Sequence, residues 1–304
     1  MTGIDLFAGA GGFTAGADKA GIKVVWAANH WDLAVRYHKS NHPGAEHSCQ
    51  DLHQADWSQV PKHDIMAASP CCQGHSRARG KDRPHHDKQR STAWAVVSCA
   101  EYHRESIVVV ENVPDFLGWC LYPSWLDAMG RLGYSVAPYI LDAADHGVPQ
   151  HRKRLFLVCT RSATPLRLRL PSHPHTPVST VIDWDFPVWS QIEKPGRSPA
   201  TLRRIAAGRA RFGERFVAPF YGSGSGLTGR SIERPIGTIT TLDRWAVVDG
   251  PRMRMLHPGE VRAAMGFPDN YILPQSRRES IHLLGNAVCP PVATDLFVAI
   301  REAA

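Results

Sequence analysis

Short apolar runs alternate with helix-patterned segments through the first 160 residues, and this alternation constrains the fold more than any other feature. "GIDLF" leads into the Gly-rich turn "AGAGG" and then the helical "FTAGADKAG". "IKVVWAAN" precedes the helical "WDLAVRYHKSN", and "DIMAAS" is a strand that ends at two adjacent cysteines. "STAWAVVSCAEYHR" and "PSWLDAMGRLG" read as helices; "SIVVVEN", "YSVAPYILDA" and "RLFLVCT" read as strands. This order predicts a doubly wound α/β sheet. Such sheets bind ligands beyond the carboxyl ends of their strands, where the Gly-rich turn and the double cysteine both fall.

The alternation stops near residue 161, where proline, arginine and glycine become more frequent. We expect a large domain from 1–164 plus 276–304, closed by an amphipathic helix "PPVATDLFVAI", and a smaller, irregular, β-containing domain over 165–275. The formal charge of +7 is concentrated in the second half, in "RKRLFLVCTRSATPLRLRL" and "LRRIAAGRARFGERF", and suggests a polyanionic partner. No run of about 18 apolar residues is present, so no membrane span is expected. No basic region precedes an apolar stretch at the N-terminus, so no signal peptide is expected either. The seven cysteines are scattered, which fits a reducing cytoplasmic compartment. Cysteine and histidine pairs do not recur at zinc-ligand spacing, so no metal is expected.

Each chemical motif has a plain structural reading beside the functional one. Gly9, Gly11 and Gly12 suit close approach of a ligand to a helix N-terminus, or simply a tight turn; the spacing is not the G-x-G-x-x-G of dinucleotide binders. Cys71 and Cys72, in "SPCCQG", are inert buried thiols or a partly exposed nucleophile. Glu111 and Asn112 stand at the mouth of "SIVVV", where a carboxylate does acid–base work or caps a helix. In "QHRKR" the spacing of two puts Arg152 and Arg154 on one face of an extended segment. "GNAV" reads as a turn before a helix.

Taken in order, "DLFAGAGG", "SPCCQG", "ENV", "QHRKR", "RPIGTIT", "MLHPGEVRAAMGFP" and "LLGNAV" resemble the motif series of DNA cytosine-5 methyltransferases of the bacterial and phage type. The resemblance runs from Asp5 to the final helix. It implies a Rossmann-like α/β domain that binds S-adenosylmethionine, and a smaller domain that reads duplex DNA.

By the same resemblance, Cys72 is the nucleophile that adds to C6 of a flipped-out cytosine, because it directly precedes Gln73. Cys71 stands where many members carry a second proline. Glu111 matches the acid that bonds N3 and the exocyclic amine, and Arg154 the arginine that holds it, with Arg152 a second candidate. Phe7, Gly9, Gly11, Trp31, Asp51, Leu52, Asn286 and Val288 match cofactor-binding positions. His30 occupies the place where the family usually has a glutamate bonding the ribose hydroxyls, and Ala93 a place where a larger apolar residue is common. The loop from Gly74 to Arg90 matches a lid over DNA, and roughly 165–235 a short target-recognition region. The reading is a monomeric enzyme, with any cognate restriction endonuclease a separate chain. Three alternatives stand beside it: an RNA cytosine-5 methyltransferase, a variant using an altered methionine cofactor, and an inactive DNA-binding homologue.

Overall fold

The structure is a computed structural model that describes residues 1–71, 91–221 and 229–303. Cys72, the expected lid from Gly74 to Arg90, and Gly222 to Thr228 lie outside the described residues. The chain divides into two compact units. The first comprises Met1–Asp142, Lys153–Ser172 and Ala287–Ala304; the second comprises Ala143–Arg152 and His173–Asn286. By this division 143–152 and 276–286, expected in the large domain, fall in the second unit, and 165–172, expected in the small one, falls in the first.

The first unit is built on a seven-stranded sheet: β1 (Thr2–Leu6), β2 (Lys23–Asn29), β3 (Glu46–Cys49), β4 (Ile65–Ala68), β5 (Ile107–Asn112), β6 (Ser135–Asp142) and β7 (Lys153–Thr160). The order is β3-β2-β1-β4-β5-β7-β6. The first five strands pair in parallel, and β7 runs antiparallel to both neighbours. All six residues of β5 are buried, as its continuous apolar run requires of a central parallel strand. β3 escapes the sequence pattern because it is a polar edge strand, "EHSC", half exposed along its length.

Two helices of this unit lock together through glycine. Helix α1 (Gly12–Lys19) presents Gly12 and Gly16 on one face. A Cβ on Gly12 would lie 2.0 Å from the Val288 carbonyl oxygen, and one on Gly16 2.5 Å from the Ala293 Cβ. The C-terminal helix, Pro290–Ala303, therefore packs backbone-close on α1, as the amphipathic tail leads one to expect. The stretch Arg277–Ala303 is long and apolar enough to cross a membrane by composition, but 72% of its most apolar window is buried. It consists of two helices, Arg277–Gly285 and Pro290–Ala303.

The second unit holds a four-stranded antiparallel sheet of β8 (Ser190–Gln191), β9 (Arg215–Pro219), β10 (Trp245–Asp249) and β11 (Arg252–Met255), ordered β8-β11-β10-β9. Helix Pro199–Phe212 packs on it through Ile205 and Phe216. Arg254 is buried in this unit, with Nη1 and Nη2 each 2.6 Å from a Glu260 oxygen. Glu260 also accepts from the backbone N–H of His257 at 2.6 Å and of Asp183 at 2.8 Å. Every lone-pair direction of this buried carboxylate is thereby used, which is what allows it to be buried.

Candidate active site

The carboxyl ends of β1, β2, β3, β4 and β5 bring together residues far apart in sequence. After β1 the chain turns through Phe7, at φ 60°, Gly9 at 54° and Gly11 at 79°. Left-handed backbone is strained for phenylalanine and cheap for glycine. Gly11 then caps α1, so that helix begins at the turn. Gly9 stands in the open: a Cβ there would meet nothing nearer than the Phe7 carbonyl oxygen at 3.7 Å. After β2, Asn29 accepts a hydrogen bond from the Trp31 N–H at 3.0 Å, which holds half-buried Trp31 beside exposed His30. After β3, Asp51 accepts from the His53 N–H at 3.1 Å and is otherwise exposed, while Leu52 is buried in the core. Val288 is buried against α1; Asn286 is exposed and belongs to the second unit.

Behind the turn lies a buried polar chain that sequence reading misses. Thr14 on α1 donates to Asp5 on β1 at 2.8 Å, and Nε2 of His38 lies 3.1 Å from the same hydroxyl. Nδ1 of His38 is 2.8 Å from Nε2 of His47. Burial pushes the Asp5 carboxyl up to about 7, against the lowering effect of Thr14. Burial also lowers His38 well below the usual imidazole range, helped by His42 and His47. The available signal was the Asp5–Thr14 spacing: a strand acid and a helix hydroxyl flanking one turn.

At the ends of β4 and β5 the chain prepares an acid. Asn112 donates to the Pro70 carbonyl at 3.2 Å, and Thr92 Oγ1 accepts from the Cys71 N–H at 3.0 Å. These two bonds hold the segment that leads to Cys72. Glu111 is 7% exposed, and Nε of Arg154 lies 3.1 Å from its Oε1. The register explains the pairing. Glu111 stands opposite Phe156 on β7, and Arg154, two residues from Phe156, shares its face as a diagonal neighbour within reach of a long side chain.

Arg152 and Arg154 do not share one face of an extended segment, as their spacing predicts. β7 begins at Lys153, so Arg152 precedes it. Arg152 is 3% exposed and donates to the carbonyls of Ile239 and Gly285, both at 2.9 Å, within the second unit. Its neighbour Gln150 does similar work there: it donates to the Ala264 carbonyl at 3.1 Å and accepts from the Ile239 N–H at 2.7 Å. "QHRKR" is thus divided, with Gln150 and Arg152 tying loops of the second unit and Arg154 meeting Glu111.

In the second unit most described arginines of the basic helix and its neighbours have internal partners. Arg204 stacks over Phe220 and Arg215 over Trp184, with ring distances of 4.7 and 4.6 Å. Arg215 and Arg252 both pair with Asp249. Arg203 and Arg211 project from helix Pro199–Phe212 as exposed cations, Arg211 lying over the Phe212 ring at 5.3 Å.

The family model for C-5 cytosine-specific DNA methylase matches residues 1–194 and 218–302. The type II methyltransferase M.HhaI of Haemophilus parahaemolyticus is 28% identical over 303 residues, covering 94% of this chain and 89% of that one. M.NlaX of Neisseria lactamica is 28% identical over 308 residues, covering 99% and 96%. Among solved structures, a prophage-encoded E. coli chain described as a DNA modification methyltransferase superposes with a TM-score of 0.74 at 19% identity, covering 100% of this chain and 99% of that one. A triple variant of DNMT2 from Spodoptera frugiperda gives 0.70 at 17% identity, covering 99% of each chain. At these identities the structural likeness speaks for the fold.

Proposed function

This chain belongs to the C-5 cytosine-specific DNA methylase family, whose members use S-adenosylmethionine, and from that premise we propose a mechanism in which Cys72, Glu111 and Arg154 methylate a flipped-out cytosine. The observation that carries the proposal is the buried Glu111–Arg154 pair, at 3.1 Å, on the strand end next to the pinned segment before Cys72.

Cytosine C5 is too weak a nucleophile to take a methyl group unaided. The Cys72 thiolate adds to C6, and ring electrons move toward N3. Glu111 supplies the proton that relieves charge at N3 and bonds the exocyclic amine; a positioned acid of this kind contributes about 10²–10⁴-fold. Arg154 orients the carboxyl and the base through its guanidinium. Once C5 is methylated, the C5 proton leaves to a base and the thiolate is expelled from C6, which restores the aromatic ring. A base inside a duplex cannot reach these groups, so the cytosine must leave the stack.

S-adenosylmethionine, when bound, supplies an electrophilic methyl group on a sulfonium sulfur. The residues at the strand ends fit it: an open glycine turn at a helix N-terminus, a half-buried indole and an exposed carboxylate. Phe7, Gly9, Gly11, Trp31, Asp51, Leu52 and Val288 would hold it. His30 would bond a ribose hydroxyl through a ring nitrogen.

The first unit is the catalytic part in this reading, and the second reads the target. Arg203 and Arg211 are cations available to phosphate or guanine. The enzyme acts as a monomer on duplex DNA, with any cognate endonuclease a separate chain. The test is transfer of label from S-adenosylmethionine to duplex DNA, with tRNA as comparator. We expect DNA-dependent transfer, its loss in Cys72→Ser, and most of it retained in Cys71→Ser. Label on tRNA alone, or a dead Cys71→Ser with a working Cys72→Ser, overturns the mechanism.

A further inference from the structure

The amino-terminal ends of β4 and β5 carry a second cluster of reactive side chains. His63 stands two residues before β4, Glu105 two residues before β5, and Cys99 in the C-terminal half of α3 (Ala93–His103). At roughly 3.3 Å per strand residue, Glu105 is about 20 Å along the chain from Glu111, on the opposite edge of the sheet. The side chains of His63 and Glu105 have no solvent exposure, and Cys99 is fully buried. A ring nitrogen of His63, Sγ of Cys99 and a Glu105 carboxylate oxygen all lie within 4.8 Å of one another.

These groups face each other without satisfying each other. Among the described residues, both Glu105 carboxylate oxygens and Nε2 of His63 are buried with no hydrogen-bond partner. The His63–Glu105 separation is 3.7 Å, too long for a hydrogen bond. Nδ1 of His63 lies 2.8 Å from the Pro61 carbonyl, so that nitrogen carries the proton and the Nε2 lone pair points into the cluster. His103 stands four residues after Cys99, on the same face of α3. Its ring bonds the Trp57 backbone, its Nε2 is buried without a partner, and its ring centre is 4.6 Å from that of His63. An imidazole fixed at one nitrogen by a backbone carbonyl, with the other turned inward, is how metal ligands are held.

We propose that His63, Cys99 and Glu105 bind one zinc ion that ties the loop before β4 to the end of α3, and that His103, outside this three-residue group but with its ring beside that of His63, moves in as fourth ligand. Imidazole, thiolate and carboxylate together suit zinc among common divalent ions. Tetrahedral zinc with bonds of about 2.0–2.3 Å sets ligand atoms roughly 3.3–3.8 Å apart, so the His63–Glu105 pair, at 3.7 Å, already has the spacing, and Cys99 has at most about 1 Å to close. Burial and the Glu105 charge push the Cys99 thiol far above its usual range. The cation replaces the thiol proton, which leaves to solvent as the Zn–S bond forms. The site is structural and stands independently of the mechanism proposed for Cys72.

The whole chain, freed of metal with a chelator, is titrated with cobalt(II) and followed by absorption. We expect a thiolate-to-cobalt charge-transfer band that saturates at one equivalent, persists in Cys159→Ala and is lost in Cys99→Ala. Zinc should raise the melting temperature of the metal-free chain by about 5 °C. Glu105→Gln, a near-isosteric change that keeps the fold if Cys99→Ala does not, should weaken cobalt binding at least tenfold. Absence of a saturable thiolate band in the folded wild type, or a band that survives Cys99→Ala, overturns the site and leaves a metal-free buried pair of His63 and Glu105.

Discussion

Glu105 and Glu111 flank the same strand, and the protein treats them oppositely. Glu111, at the carboxyl end, has a guanidinium 3.1 Å away and the mouth of the sheet before it. Glu105, two residues before the amino end, is sealed in, and no described residue donates a hydrogen bond to either oxygen. Burying a carboxylate costs several kcal/mol unless a cation or a full set of donors compensates. One strand therefore ends in an acid with a guanidinium partner and is preceded by an acid that the proposed zinc ion would compensate. The difference follows from the sheet itself: parallel strands gather function at their carboxyl ends, whereas residues at the amino ends serve stability.

The sharpest way to break the comparison is to neutralise each acid in turn. Glu111→Gln keeps the shape and removes the transferable proton, so kcat for methyl transfer to DNA should fall about 10³-fold with folding intact. Glu105→Gln should leave kcat within about twofold when the variant is assayed folded, because no substrate reaches that edge. Equal losses in both variants, each folded by circular dichroism, would sink the division.

The two arginines sharpen it next. Arg154→Gln should reduce kcat/KM about 10–100-fold with a near-normal melting temperature, since it removes one orienting contact. Arg152→Gln should cost about 3 kcal/mol of stability, read by denaturant titration, because two buried carbonyls lose a charged donor. A stable Arg152→Gln protein with lost activity would place Arg152 at the base instead.

What the sequence made legible, and what it hid, follows the same physics. The central strands were readable because strands buried on both faces are continuous apolar runs, as in "IVVV". Glu111 was readable because it stops such a run. β3 was hidden by its polarity, and the unit boundary at 143–152 by the chain leaving one unit and re-entering it within ten residues. That detour also separated Arg152 from Arg154, whose spacing of two implies a shared face only inside a strand. The histidine–cysteine–glutamate cluster at the amino edge was hidden because its members come from a loop, a helix and a strand approach. Only Cys99 and His103 have a regular spacing, and four residues on one helix rarely draw attention.

Asp5 supplies a third buried carboxylate on the same sheet, held by a hydroxyl rather than a cation. Its folded-state value of about 7 lies above the ordinary 3.8, so the native protein keeps a proton that the unfolded chain releases from about pH 4 upward. Between those values the unfolded state binds fewer protons, so stability falls as pH rises and levels off above about 7. From pH 5 to pH 7 the loss should be on the order of 2 kcal/mol, at about 1.4 kcal/mol per unit. Asp5→Asn removes this contribution while other titrating groups remain. The difference between wild-type and variant stability, measured by denaturant unfolding across pH 5–8, should therefore slope against the wild type and then flatten. A flat difference curve would mean that Asp5 is ionised in the native state and that the Thr14 hydroxyl, the one side chain donating to it among the described residues, is enough to hold a carboxylate charge inside this sheet.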